Sequence, residues 1–104
     1  MSSKCSENPK FCNANKVVFG YCDGNSFTGM RENPLTATRS DGTDIKLYFR
    51  GRAILDETIA VLHNQFGLAS ATSVLLTGCS AGGLAAIINA DHVRPTIIIS
   101  NLIS

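Results

Sequence analysis

Apolar residues along the chain gather into short runs separated by turn formers. Lys16-Val17-Val18-Phe19-Gly20-Tyr21 is the first, a β-branched and aromatic run that predicts a strand. Cys22 to Gly29 follows as a loop of turn formers around one apolar aromatic, Phe27. Asn33 to Thr43 reads as a second loop, with Pro34 and an Asp41-Gly42 turn signal. Ile45 to Phe49 alternates apolar and polar residues and predicts a short strand. From Arg52 to Phe66, the residues Ile54, Leu55, Ile59, Val61, Leu62 and Phe66 recur at helical spacing, with Ala60-Val61 widening the stripe, and Gly67 stops the pattern. That predicts a helix of about four turns. Ser73 to Thr77 reads as a short buried strand, and Leu84 to Ala90 as an unbroken run of helix formers. Thr96 to Ile99, after Pro95, is a last short apolar strand. Residues 1–15 are polar, contain Pro9 and read as irregular. The order strand, helix, strand, helix, strand predicts an α/β fold, a parallel sheet with helices on its faces.

One junction in this pattern carries chemistry. Between the strand at 73–77 and the helix at 84–90 stands Gly78-Cys79-Ser80-Ala81-Gly82, a G-x-S-x-G sequence in the strand-to-helix context of a nucleophile elbow. A nucleophile on such a turn needs small residues two positions to either side, and Gly78 and Gly82 supply them. Ser80 is the candidate nucleophile. Ala81 is the candidate oxyanion donor, because its N–H opens the helix whose positive dipole end faces a developing negative charge. Cys79, inside the turn, is expected to pack as a small hydrophobe.

Composition removes other classes. The chain has 104 residues and a net charge of +1, with its basic residues scattered, so nucleic acid is not an expected partner. No apolar run reaches 18 residues, and a membrane span is not expected. No secretory signal pattern follows Met1. Cys5, Cys12, Cys22 and Cys79 are an even number, which permits disulfides, and their spacing fits no metal site. A phosphate-binding loop is excluded because Leu84-Ala85 follows Gly82-Gly83 in place of Lys-Ser/Thr. No metal or other cofactor is expected.

Three ordered blocks are shared with a known family. They are Tyr21-Cys22-Asp23-Gly24 with Ser26-Phe27-Thr28-Gly29, then Phe49-Arg50-Gly51, then Gly78 to Ala85 with Asp91 beyond. Asn8-Pro9 and Phe11 fit as well. Over about residues 8–93 the chain resembles the pectin acetylesterases, a family that includes the Notum-type carboxylesterases. Met30 and Ala90 depart from its pattern, Met30 standing where an acid is usual and Ala90 where plant members often carry cysteine.

The resemblance implies a secreted or cell-wall serine esterase with a partial α/β-hydrolase-like domain over 16–104, acting on acetylated polysaccharide or another acyl ester. It places the family's acid and histidine downstream of the elbow and its Gly-Gly-Gly-Trp oxyanion loop upstream of Tyr21, so the chain is expected to be the central piece of a larger enzyme. It also implies that one further strand separates 16–21 from 73–77, leaving Cys22 and Cys79 too far apart to bridge. An inactive truncated product and a Notum-like deacylase of a lipidated protein are the alternatives.

The triad is not expected to close within the chain. His92 lies twelve residues past Ser80, roughly 18 Å along a helix. His63 ends the 52–66 helix, at the opposite end of the strands from the elbow. Asp23, just after the first strand, is a candidate for shaping the pocket at the carboxyl end of the sheet. The plainer reading is a turn residue capping nearby N–H groups. Arg50 suits a fold-stabilising ion pair, and Asp91 a structural place at a helix end.

Overall fold

The computed structural model describes residues 2–94. Strand β1, Leu35–Thr38, pairs antiparallel with β2, Asp44–Leu47, with Leu35 opposite Leu47 and Thr38 opposite Asp44. The turn between them rests on the Asp41-Gly42 pair, Gly42 taking φ 85°, where a Cβ would be strained. The Thr43 hydroxyl and then its N–H donate to Asp41, and these bonds hold the carboxyl below its ordinary range. β1 falls inside the segment expected to be a loop. The Asp41-Gly42 signal was a hairpin turn, and Leu35-Thr-Ala-Thr is the strand it returns.

Helix α1, Gly51–Gln65, matches the expected helix to within a residue at each end. It buries Leu55 and Ile59, four residues apart on one face. Gly67 at φ 74° ends it, and a single 3₁₀ turn, Leu68–Ser70, follows. Helix α2, Ala81–Val93, starts three residues before the expected run and ends three after it. Phe27, Leu55, Ile59, Ala85 and Val93 form the core, with Phe19, Leu68 and Val74 packed against it. Both helices therefore bury a face in one cluster with the loop that carries Phe27.

The expected parallel sheet does not form among the described residues. Segments 16–21 and 73–77 belong to no strand, and among the described residues no backbone–backbone hydrogen bond involves 16–24 or 72–78. Their apolar runs predicted strands, yet neither segment finds a ladder partner among the described residues. Val18 is accordingly 91% exposed. The strand expected at 96–99 lies outside the described residues. Within the irregular N-terminal segment, Cys5 and Cys12 form a disulfide.

Candidate active site around Ser80

Ser80 stands at the N-cap of α2 with φ 52° and ψ −121°. A non-glycine residue in that region is strained by about 1–3 kcal/mol and persists where its surroundings impose it. Here the imposition is visible. Gly82 N–H donates to the Cys79 carbonyl at 2.8 Å, and Leu84 N–H to the Ser80 carbonyl at 3.1 Å. These bonds close the turn around Ser80 and start the helix. The side chain is exposed and caps no backbone N–H, so its hydroxyl is not spent on the helix.

The two glycines of the motif differ in what they permit. A Cβ on Gly78 would collide with the Gly82 carbonyl and lie 2.7 Å from the Gly83 nitrogen. The chain entering the turn thus passes directly against the first turn of α2. A Cβ on Gly82 would meet nothing within 4 Å. The expectation that both glycines relieve a clash holds at Gly78 alone. Ala81 is the first residue of α2, and its N–H precedes the first helical hydrogen bond, free to serve an anion beside Ser80.

Beside this turn runs a groove of about 490 Å³. Val17, Val18, Phe19 and Tyr21 line it together with Leu76 to Cys79, and Phe27, Leu55, Ala85, Asn89 and Val93 are among the rest of its lining. Cys79 is exposed and lines this groove as a free thiol, so it does not pack as a buried hydrophobe. Cys22 is likewise a free, exposed thiol.

Asp23 does not line the groove; it builds the loop that does. It is 3% exposed, and its Oδ1 accepts from Asn25 N–H at 3.2 Å and Phe27 N–H at 3.3 Å. Tyr21 Oη accepts from Ser26 N–H at 3.2 Å. Together these bonds hold Ser26 and Phe27 at φ 51° and 56°, a turn that aims the Phe27 ring into the core. Asp23 Oδ2 is buried without a hydrogen-bond partner. It lies against Gly51, the first residue of α1, where a Cβ would collide with it. That helix carries no acid in its first turn and no side-chain cap, so the Asp23 carboxylate supplies the negative charge at its positive end.

Neither histidine approaches Ser80. His92 Nε2 meets Asp56 Oδ1 at 2.5 Å in the last turn of α2, and His63 Nδ1 is 3.4 Å from Asn64 Oδ1 at the end of α1. Arg50 is exposed at the N-cap of α1 and joins no ion pair among the described residues. Arg52 is the arginine that pairs: its Nε is 3.6 Å from Asp56, and its Nη1 donates to Asn89 Oδ1 at 2.9 Å. Asn89 and Arg52 escaped the sequence reading, although Asn89 is the one polar residue inside the apolar run 84–90. Asp91 is exposed on α2. No group of three or more His, Cys, Asp or Glu among the described residues is placed to hold a metal ion. No described helix is long and apolar enough to cross a membrane.

The pectinacetylesterase family model matches residues 1–102. Pectin acetylesterase 5 of Arabidopsis thaliana is 45% identical over 98 residues, covering 90% of this chain and 20% of that protein. Pectin acetylesterase 11 of the same plant is 41% identical, covering 93% and 23%. The palmitoleoyl-protein carboxylesterase NOTUM of Drosophila melanogaster is 33% identical over 93 residues, covering 88% and 13%. No solved structure gives a significant match. The chain spans about a fifth of the length of the plant relatives it matches. It belongs to the pectinacetylesterase family.

Proposed function

We propose that this chain is the nucleophile-bearing segment of a serine carboxylic-ester hydrolase that removes acetyl groups from cell-wall polysaccharide. The observation that carries the reading is Ser80 itself, an exposed serine at φ 52° and ψ −121° on a tight turn at the head of a helix. Ser80 Oγ attacks the acyl carbonyl and its proton passes to a general base. The Ala81 N–H faces the oxyanion, and the sugar oxygen leaves protonated. Water then attacks the acyl-serine, releasing acetate and the free hydroxyl. The substrate class is proposed by analogy with the relatives, of which the plant pectin acetylesterases are the more similar. The Cys5–Cys12 disulfide fits the oxidising compartment in which a secreted enzyme works.

The apolar lining of the groove favours a second reading, removal of a fatty acyl group from protein, as the name of the NOTUM relatives describes. An acetyl group leaves most of a 490 Å³ groove unfilled. The test of the shared chemistry comes first. In the enzyme that carries this segment, a fluorophosphonate probe is expected to label Ser80, and Ser80→Ala to abolish labelling. Labelling that survives the substitution removes the assignment. Release of acetate from acetylated pectin, compared with release of a long acyl chain from an acylated peptide, separates the two substrates.

A further inference from the structure

Asn89 is the most deeply buried side chain among the described residues, at 1% exposure, and every polar atom of its amide is engaged. Nδ2 donates to the Ala85 carbonyl of its own helix at 2.9 Å and to the Ser26 carbonyl at 3.3 Å. Oδ1 accepts from Arg52 Nη1 of α1 at 2.9 Å. The amide orientation is unambiguous, because a guanidinium only donates and a carbonyl only accepts. Three parts of the chain thus meet on one side chain: the 22–29 loop, α1 and α2. Arg52 extends the connection to Asp56, which also meets His92 one turn of α2 beyond.

The surroundings do not ask for a polar residue. Phe27, Leu55, Ala85 and Val93 line the same part of the groove, and a leucine has the volume to fill the place. A buried amide in an apolar setting adds little net stability over an isosteric hydrophobe, but its hydrogen bonds accept only one arrangement of their partners. Apolar contacts alone let α2 slide or rotate against α1. The bonds to Ser26 and Arg52 do not.

We propose that Asn89 is a positioning residue that fixes α2 against α1 and the 22–29 loop, and so sets where Ser80 stands. Ser80 heads the same helix nine residues earlier, about 13 Å along its axis, so a small rotation at Asn89 displaces the turn. The consequence for catalysis rests on the reading of Ser80 as nucleophile. The structural role of Asn89 does not.

The two free thiols permit a test without chemistry at Ser80. Cys22 opens the loop and Cys79 precedes the head of α2, and both are exposed, while Cys5 and Cys12 are bonded to each other. Nitroxide labels on Cys22 and Cys79 of the 104-residue chain report their separation by electron paramagnetic resonance. A single narrow distribution is expected for the unsubstituted chain, and at least a twofold broadening for Asn89→Leu. Asn89→Asp keeps the acceptor for Arg52 but loses both donors, and is expected to broaden it too. Ile87→Ala, at a 77% exposed site, leaves the width unchanged. An unchanged width in Asn89→Leu, with helix content retained by circular dichroism, overturns the proposal. Should Asn89→Leu not fold, Arg52→Gln decides in the same way. Fluorophosphonate labelling is scored separately, so failure of the Ser80 reading leaves this result standing.

Discussion

A serine at positive φ is held there by its neighbours, and at Ser80 the neighbours are glycines with unequal tasks. Gly78 has no room for a side chain, because the Gly82 carbonyl and Gly83 nitrogen occupy the space. Gly82 has room, and it sits in the first turn of α2, where glycine costs helix stability relative to alanine. Gly78→Ala is therefore expected to destabilise the chain by about 1–3 kcal/mol, as overpacking does. Gly82→Ala is expected to be neutral or to stabilise by up to about 1 kcal/mol. Thermal melts followed at 222 nm check the pair. Equal losses would mean that the turn, and not backbone contact, governs both positions. The G-x-S-x-G pattern named the five residues of this turn, but it carries no information on which glycine is in contact.

Among the elements, α1 was legible because Leu55 and Ile59 repeat at helical spacing and Gly67 stops the pattern. The hairpin was half legible. β2 alternates visibly, but β1 is Leu-Thr-Ala-Thr, with weak contrast, and only the turn chemistry of Asp41-Gly42 marks it. α2 is apolar on almost every face, so its pattern does not say which side is buried; the structure covers Ala85, Asn89 and Val93 and leaves Ile87 out. Half of the role of Asp23 was legible, the capping of N–H groups in its own turn; the other half was not, since it acts on an element 28 positions away. Its carboxylate binds two N–H groups of its own loop and faces the positive end of α1. Asp23→Ala leaves the Phe27 N–H buried without an acceptor and α1 without its charge, at an expected cost of about 1–3 kcal/mol. Asp23→Asn keeps the acceptor and is expected to lose about half as much. An alanine variant that melts like the unsubstituted chain would show that the loop holds its turn unaided.

At the scale of the molecule, the described chain is more open than a folded domain of its size. Its radius of gyration is 16.8 Å, against about 13 Å for a compact chain of 100 residues. Among the described residues, 16–21 and 73–77 make no hydrogen bonds to other backbone, and Val18, Leu75 and Leu76 are 91%, 47% and 38% exposed. Both segments lead into the Ser80 region, one ending at the Asp23 loop and the other in the turn itself. The site therefore rests on two helices and a loop, and its flanking segments are held to the core through Phe19 and Val74 and not by a ladder among the described residues.

Two results follow for the 104-residue chain. Neither His63 nor His92 reaches Ser80, and in the proposed mechanism the turn offers Ala81 N–H as its oxyanion donor. Losing one such donor typically costs about 10²–10³ in rate, and losing a triad member more. Hydrolysis of p-nitrophenyl acetate by this chain is expected at background and unaffected by Ser80→Ala; Ser80-dependent turnover would mean that a histidine moves into place. The second result is the pattern of hydrogen exchange. Amides in α1 and α2 are bonded within their helices and share the Phe27–Leu55–Val93 core, so they are expected to exchange slowly. Amides at 17–21 and 73–77 have no backbone acceptor among the described residues and are expected to exchange much faster than those of the helices. Strong protection of both segments, lost in one cooperative transition with the helices, would show that they pair in solution and that the chain closes its own sheet.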